Sequence, residues 1–196
     1  MKNQGLEPLQ EWLRFVKVAV GDPVAYGTLF PVGEGATRRI VDMAEVEVGD
    51  VVVDVGAGHG NVSEALIALE ARPRRIVAVE RSAKMRGLYR ERFRGRGDPR
   101  LTLISGDARF LPGLLSGLSG PVDRVVSTLP VSRLHDSSGI FSAIAQALRP
   151  GGTFVQITSD PFHCMKRMSR AGFHVEAFRM EMHGFYPLFV FKARKT

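Results

Sequence analysis

The sequence predicts an α/β fold built on a doubly wound, mostly parallel sheet. Short apolar runs rich in β-branched residues recur along the chain, as expected for parallel strands that are buried on both faces. Segments with apolar residues at helical spacing follow some of these runs. With 196 residues, 44% of them hydrophobic, the chain has the size and composition of one compact domain.

The segment 51–60 carries the most informative motif of the chain. Its apolar run of β-branched residues predicts a buried strand that ends in the acid Asp54, and Gly56, Gly58 and Gly60 follow at alternate positions. A strand that ends in glycines and leads into a helix allows a ligand to lie directly against the backbone. Residues 61–64 have the pattern of a helix N-cap with a glutamate three positions later. The motif therefore predicts a nucleotide-type site, and a glycine-rich structural turn is the alternative.

Further apolar strands are predicted at 75–80, 101–108, 122–127 and 154–157. Glu80 ends the second strand about 20 residues beyond the glycines, the spacing at which a carboxylate accepts hydrogen bonds from a ribose. The alternative for Glu80 is a helix cap. The third strand ends in Gly106-Asp107-Ala108, and the fourth leads into the turn 127–130. A Pro-Gly-Gly turn at 150–152 precedes the fifth strand.

The spacing D-x-G-x-G-x-G resembles motif I of the Rossmann-like S-adenosylmethionine-dependent methyltransferases, because its third glycine comes one residue earlier than in a dinucleotide fingerprint. The resemblance spans about residues 30–192 and implies a seven-stranded sheet. It also implies S-adenosyl-L-methionine as the cofactor and S-adenosyl-L-homocysteine as the product. The cofactor-binding residues that it implies are Tyr26, Gly27, Asp54, Gly56, Ala57, Gly58, Asn61, Glu80, Arg81, Gly106, Asp107, Ala108 and Ser127.

The flanking segments resemble the bacterial phospholipid N-methyltransferases, which are related to the rRNA adenine dimethylases. The segments that match are 11–14, 27–31, 127–131 and 184–192, although Val32 and Gly33 replace two serines of that pattern. The adenine enzymes carry an asparagine and an aromatic residue where this chain has Thr128 and Val131. The amide that pairs with a base and the ring that stacks on it are therefore missing, which counts against adenine methylation.

The sequence predicts an N-terminal helical segment or lid at 1–32 and a methyltransferase domain at 33–196. Residues 6–20 have an apolar stripe at helical spacing with basic residues beside it. Such a helix lies in a membrane interface or packs on its own domain, and the sequence leaves both open. A second helix is predicted from about 35 to 44.

The net charge of +7 predicts attraction to polyanions, either nucleic acid or an anionic membrane surface. No run has the length of a transmembrane helix, and the N-terminus lacks the pattern of a signal peptide. The lone Cys164 cannot form an internal disulfide, and no metal-ligand spacing occurs among the histidines. We therefore expect a cytoplasmic protein without a metal, peripherally associated with the cytoplasmic membrane.

Candidate catalytic residues are Tyr26, Thr128, Pro130 and His135. The turn 127–130 offers carbonyls to hold a neutral amine, and Pro130 fixes it without adding a backbone donor. Tyr26 is the first candidate to accept the amine's proton, because the resemblance places its segment over the cofactor; His135 and Tyr186 are the others. Packing or loop roles are the alternatives for Tyr26 and His135.

The predicted substrate-binding residues are Lys166, Arg167, Arg170 and Tyr186. The three cations lie at helical spacing and would bind a lipid phosphate, although a solvated helix face is the alternative. The sequence thus predicts methylation of phosphatidylethanolamine, possibly in successive steps towards phosphatidylcholine, with a phospholipid headgroup and an anionic membrane surface as partners. The alternatives are an rRNA or other nucleic-acid adenine N-methyltransferase, a small-molecule methyltransferase, or a non-catalytic cofactor-binding module. The oligomeric state is left open.

Overall fold

In the computed structural model, which describes residues 32–131, 134, 136–183 and 186–196, a helix follows each of the first five strands. The described strands are β1 (Val51–Val55), β2 (Arg75–Glu80), β3 (Leu101–Ser105), β4 (Val122–Ser127), β5 (Leu148–Thr158), β6 (Phe173–His183) and β7 (Tyr186–Lys195). The described helices are α1 (Glu34–Ala44), α2 (Asn61–Ile67), α3 (Ala83–Arg92), α4 (Leu111–Leu114), α5 (Ser137–Ala147) and α6 (Pro161–Arg170). A 3₁₀ turn, Ala108–Phe110, precedes α4.

The strands form one sheet in the order β3-β2-β1-β4-β5-β7-β6. β1 to β5 are parallel, whereas β7 lies between β5 and β6 and is antiparallel to both. The sheet confirms the expected doubly wound, mostly parallel architecture with seven strands. The winding reverses between β1 and β4, and ligands of such sheets bind outside the carboxyl ends of the strands at this point.

Apolar side chains fill a core on each face of the sheet. On one face, α4, α5 and α6 cover a cluster in which Phe154 contacts Phe141 and Phe173, with ring centroids 5.8 Å and 5.0 Å apart. On the other face, Ile40 of α1 and Leu66 of α2 are fully buried against β1, β2, β4, β5 and β7. These two layers of helices hold the carboxyl ends of β1 and β4 at fixed positions.

The last three strands differ from the sequence-based expectation in their bounds or in their presence. β5 begins at Leu148 rather than after the turn at 150–152, because a register shift between Val122 and Arg124 lets it pair with β4 on both sides of that turn. β6 was not predicted, since its exposed apolar residues alternate with polar ones and form no continuous apolar run. The C-terminal segment 184–192, which the resemblance makes an apolar strand, corresponds to β7, and β7 ends three residues later, at Lys195.

The predicted helix at 35–44 is confirmed, since α1 spans Glu34–Ala44. The predicted helix at 6–20 lies outside the described residues, as does most of the segment 1–32. Its role as a lid or membrane anchor therefore stays a prediction. No helix in the described ranges combines the length and the apolar character that a bilayer span requires.

Replacement of Phe154 by alanine should destabilise the fold by about 3–5 kcal/mol, because it leaves a cavity between two other rings in a fully buried cluster. Urea unfolding followed by circular dichroism measures this difference. The matched control is Phe162→Ala on the exposed surface of α6, which should change the free energy of unfolding by about 0.5 kcal/mol or less. Equal effects of the two substitutions would contradict the assignment of the core.

Candidate active site

The loop between β1 and α2 carries three glycines with positive φ: Gly56 at 75°, Gly58 at 56° and Gly60 at 99°. A Cβ at Gly56 would lie 2.6 Å from Leu129 Cδ2, and one at Gly60 would lie 2.6 Å from the ring of Phe93. Gly58 has no such crowding, since its nearest neighbours would be 3.9 Å away or more. The outer glycines thus let other elements approach, and the middle one leaves bare backbone for a ligand.

The start of α2 differs from the predicted capping pattern. The N-cap is Gly60 in the left-handed region, and no side chain caps the helix. Asn61 is already helical, and its Nδ2 donates to the carbonyl of Val32 at 3.1 Å. Glu64 accepts from Arg92 and Arg96 instead of returning to the cap. The predicted capping box is therefore wrong. Gly60 adopts the left-handed conformation that starts the helix, and the side chains of Asn61 and Glu64 make other contacts.

Asp54 lies beneath the glycine loop and is fully buried. Its Oδ2 accepts from Ser63 Oγ at 2.7 Å, while Oδ1 has no hydrogen-bond partner within the described ranges. Burial raises the pKa of Asp54 to about 7, against the smaller lowering effect of Ser63. The described contact of Asp54 joins β1 to α2, and its predicted contact with the cofactor stays a prediction.

Glu80, at the end of β2, connects the glycine loop to α3. Its Oε2 accepts from the backbone N–H of Gly58 at 3.0 Å, and its Oε1 accepts from Ser82 N–H at 2.7 Å. The cap of α3 is Ser82, whose side chain accepts from Met85 N–H, so the alternative of Glu80 as the N-cap is wrong. A carboxylate has about four acceptor positions, so Glu80 retains capacity for ribose hydroxyls.

Asp107 follows β3 and forms a two-pronged contact with Arg109. The guanidinium donates from Nε at 3.1 Å and from Nη2 at 2.9 Å, and Arg81 Nη1 lies 3.8 Å away. The hydrogen bond from Arg109 is the largest cause that lowers the pKa of Asp107 below its usual value. Asp107 is therefore an anionic acceptor at neutral pH. Sequence reasoning did not single out Arg109, which lies two residues further along.

The residues on either side of Asp107 support this acceptor. The N–H of Gly106 donates to the carbonyl of Glu80 at 3.4 Å, and a Cβ at this glycine would collide with Leu114. Ala108 is buried in the core that α5 covers. These contacts bring the carboxyl ends of β2 and β3 together, so Glu80 and Asp107 lie at the same end of two neighbouring strands.

The turn after β4 packs directly on the glycine loop. Thr128 Oγ1 donates to the carbonyl of Gly56 at 2.8 Å, and Thr128 N–H donates to Val55 at 3.2 Å. Ser127 is fully buried and its Oγ accepts from Leu129 N–H at 3.3 Å. The hydroxyl of Thr128 thus joins two loops and donates its one proton to Gly56.

The carbonyls of this turn differ in their availability. Leu129 accepts from Gln156 Nε2 at 3.0 Å and from Val131 N–H at 2.8 Å. Within the described part of the chain, the carbonyls of Thr128 and Pro130 accept no hydrogen bond. With respect to the described residues, these two oxygens therefore keep their capacity to accept hydrogen bonds.

Gln156 on β5 is a site residue that sequence reasoning missed. Its side chain is fully buried, and Nε2 donates to Ile157 at 2.6 Å as well as to Leu129. Its Oε1 has no partner among the described residues. The sequence does contain a sign of this role, because Gln156 is an amide within an otherwise apolar strand. Burial of an amide costs free energy unless it forms hydrogen bonds to other groups.

The predicted substrate cations lie on α6, where they have different surroundings. Arg167 is half-buried, and its Nη1 donates to the carbonyl of Val131 at 3.1 Å, so it holds α6 against the turn. Lys166 and Arg170 are exposed. Tyr26, Gly27 and His135 lie outside the described residues, and the structure describes only the strand that contains Tyr186.

A family model described as "Methyltransferase domain" matches residues 52–152, from β1 into β5. The chain belongs to the S-adenosylmethionine-dependent methyltransferases. The ornithine lipid N-methyltransferase of Singulisphaera acidiphila is 32% identical over 142 residues, which cover 70% of this chain and 72% of that protein. The ribosomal RNA small subunit methyltransferase A of Phenylobacterium zucineum is 39% identical over 106 residues, 54% of this chain and 35% of that one.

Two solved structures show the same fold at low identity. TrmN from Thermus thermophilus has a TM-score of 0.70 at 22% identity and covers 88% of this chain and 52% of its own. Haemonchus contortus Phospholethanolamine N-methyltransferase 2, solved with phosphomonomethylethanolamine and S-adenosylhomocysteine, has a TM-score of 0.68 at 15% identity. It covers 98% of this chain and 58% of its own.

The methyltransferase uses S-adenosylmethionine, and the described residues fit this cofactor. The bare backbone at Gly58 admits a close ligand, Glu80 has acceptor capacity for a ribose, and Asp107 is an anionic acceptor for an adenine amino group. When bound, S-adenosylmethionine supplies an electrophilic methyl group on a sulfonium.

The substitution Asp54→Asn should remove a pH dependence of stability. The folded protein keeps the Asp54 proton up to a pKa of about 7, whereas a free aspartate side chain has a pKa of 3.8. The free energy of unfolding therefore falls as the pH rises between these values, by at most about 1.4 kcal/mol per pH unit. Urea unfolding at several pH values should give a flatter dependence for the variant. If the free energy of unfolding changed with pH in the same way in the variant and the wild type, the result would contradict this role of Asp54.

Substitution of either Glu80 or Asp107 by alanine should weaken S-adenosylmethionine binding about tenfold or more, because each removes a charged acceptor. Isothermal titration calorimetry measures the dissociation constants. The control is Glu70→Ala on an exposed residue beyond α2, which should bind like the wild type. Unchanged affinity in both site variants would show that the cofactor lies elsewhere.

Proposed function

We propose that this methyltransferase acts on the amine of a membrane lipid headgroup, with phosphatidylethanolamine as the acceptor and successive methylation towards phosphatidylcholine. The observation that carries the proposal is the turn after β4. Thr128 donates its hydroxyl proton to Gly56, and Val131 is 1% exposed, so the turn has neither an amide to pair with a base nor a ring to stack on one. The turn instead offers the two available carbonyls, which suit a small amine.

The chemistry of an alkylamine supports this use of the turn. Such an amine titrates near pH ~10 and must lose a proton before its nitrogen can attack. Carbonyls of Thr128 and Pro130 accept from the N–H groups of the neutral amine and orient its lone pair away from them. Pro130 has no N–H that would compete for these oxygens. Tyr26, His135 and Tyr186 remain the proposed acceptors of the departing proton.

The cations of α6 support a phosphate-bearing substrate. Arg167 already lies against the turn through Val131, and Lys166 and Arg170 are exposed on the same helix. Charge-assisted hydrogen bonds from such groups are suited to a phosphate. The net charge of +7 and the similarity to an ornithine lipid N-methyltransferase agree with a lipid acceptor at an anionic membrane surface. We therefore propose a cytoplasmic enzyme that is peripherally bound to the membrane.

Nucleic-acid methylation is the second candidate. The net charge and the relatives named ribosomal RNA small subunit methyltransferase A favour it. The chain spans only 35% of the first of these relatives, and the turn lacks the side chains that would hold a base. A small-molecule acceptor is a further alternative, because the malonyl-[acyl-carrier protein] O-methyltransferase of Xylella fastidiosa is 38% identical over 104 residues.

The wild-type protein should transfer labelled methyl groups to phosphatidylethanolamine in vesicles that also contain an anionic lipid. Separate reactions with ornithine lipid and with ribosomal RNA test the other acceptors, and thin-layer chromatography of the lipid extract counts the methyl groups added. Asp107→Ala is the control, since it should lower the rate at limiting donor. Label in RNA, with none in either lipid, would overturn the proposal.

A further inference from the structure

Five large apolar side chains lie exposed on α6 and β6, and we call them the apolar patch. Phe162 and Met165 belong to α6, whereas Phe178, Met180 and Met182 belong to β6. Each is between 45% and 78% exposed, although Met168 of the same helix is fully buried. Clusters of exposed apolar residues of this size mark interaction sites more often than scattered single residues do.

The members of the patch face the same side of the sheet. Phe178, Met180 and Met182 alternate along β6 and therefore point to one face. The ring of Phe178 lies 5.9 Å from that of Phe191, which is buried in the core beneath α6. α6 therefore covers this face of the sheet, and the three apolar side chains of β6 lie on the same face at the edge of the sheet.

The patch lies at the end of the sheet that carries the active site. Thr158, the last residue of β5, is aligned with Phe189 on β7, and Phe189 is aligned with Met180 on β6. Met182 lies two residues further in the same direction. Because Phe162 begins the first turn of α6 just after β5, it lies at this level too. The carboxyl ends of the parallel strands, which hold the glycine loop and the turn after β4, form the same edge.

The charges near the patch are one-sided. Lys166 and Arg170 share the exposed face of α6 with Phe162 and form no ion pair with any described residue. The acids of β6 are engaged elsewhere: Glu181 binds Arg39 of α1 at 2.6 Å, and Glu176 binds Arg194 at 2.7 Å. Asp160, at the start of α6, accepts a hydrogen bond from the backbone N–H of His163 at 3.2 Å. The patch therefore combines apolar side chains with two cations that form no ion pair with a described acid.

We propose that the apolar patch is a membrane-docking surface whose occupant is an anionic bilayer. The inference rests on the proposed lipid substrate, and it names the face by which the enzyme meets its membrane. Insertion buries the five apolar side chains among acyl chains, while Lys166 and Arg170 meet the anionic headgroups. Arg167 joins this helix to Val131, so docking brings the headgroup layer to the turn that holds the amine.

The charges favour a bilayer over a second copy of the chain. A two-fold interface would place the same patch on both partners and bring Lys166 and Arg170 near their own copies. Like charges at such an interface cost free energy, whereas an anionic surface attracts them. The patch also differs from a nucleic-acid surface, since a groove for phosphates would gain nothing from the three apolar side chains of β6.

Vesicle flotation of the full chain tests the surface directly. Phe162→Ser and the pair Met180→Ser/Met182→Ser should each weaken binding to phosphatidylethanolamine vesicles with phosphatidylglycerol by about fivefold or more. Lys166→Glu/Arg170→Glu should weaken it by about fivefold per cation and only on anionic vesicles. One control is Val48→Ser, because Val48 is 79% exposed and precedes β1, at the end of the sheet opposite to the patch. The other control is Lys84→Glu/Arg90→Glu, which changes two exposed cations of α3. Both controls should bind like the wild type.

The outcomes separate this surface from the proposed reaction. Circular dichroism and donor calorimetry should match the wild type for Phe162→Ser and Met180→Ser/Met182→Ser. If the wild type methylates lipid in detergent micelles but these variants float as it does, the surface is wrong and the reaction stands. If no lipid is methylated but the variants lose vesicle binding, the reaction is wrong and the surface stands. A dimer by light scattering that these substitutions dissociate would also overturn the bilayer as occupant.

Discussion

The close approach of the turn after β4 to the glycine loop is the constraint on which the active site depends. Thr128 bonds to the carbonyl of Gly56, and the side chain of Leu129 occupies the space where any Cβ at that position would lie. The glycine loop, proposed to hold the methyl donor, and the turn, proposed to hold the acceptor, are therefore parts of one packed unit. Reaction between two bound groups requires their mutual placement, and this contact sets it before either of them binds.

The acidic residues of the site are engaged with the protein itself. Glu80 accepts two backbone N–H groups, Asp107 accepts from Arg109, and Asp54 accepts from Ser63 beneath the loop. Each carboxylate is thus held in one orientation before a ligand arrives, which lowers the entropy lost on binding. Gln156 extends the same principle to the acceptor side, because its buried amide fixes the carbonyl of Leu129 and with it the path of the turn.

The predictable parts of this chain are those encoded by local pattern. The apolar runs predicted β1 to β4, and the glycines with Glu80 and Asp107 predicted a site at the strand ends. Side-chain contacts could not be predicted in this way. The local pattern did not identify Arg109 as the partner of Asp107, although it lies only two residues away, and the role of the Gln156 amide depends on a turn that is distant in sequence. β6 was not predicted because it is an edge strand whose apolar and polar residues alternate, so it lacks the continuous apolar run of a central strand.

The position of β7 has a consequence for the order in which the sheet can be completed during synthesis. β6 is made before β7, yet its hydrogen-bonding partner in the sheet is β7, and the same strand closes the edge of β5. A nascent chain that ends before residue 186 therefore has an unpaired β5 edge beside the apolar side chains of β6. Such edges associate with other chains, so ribosome stalling late in this message would release an aggregation-prone product.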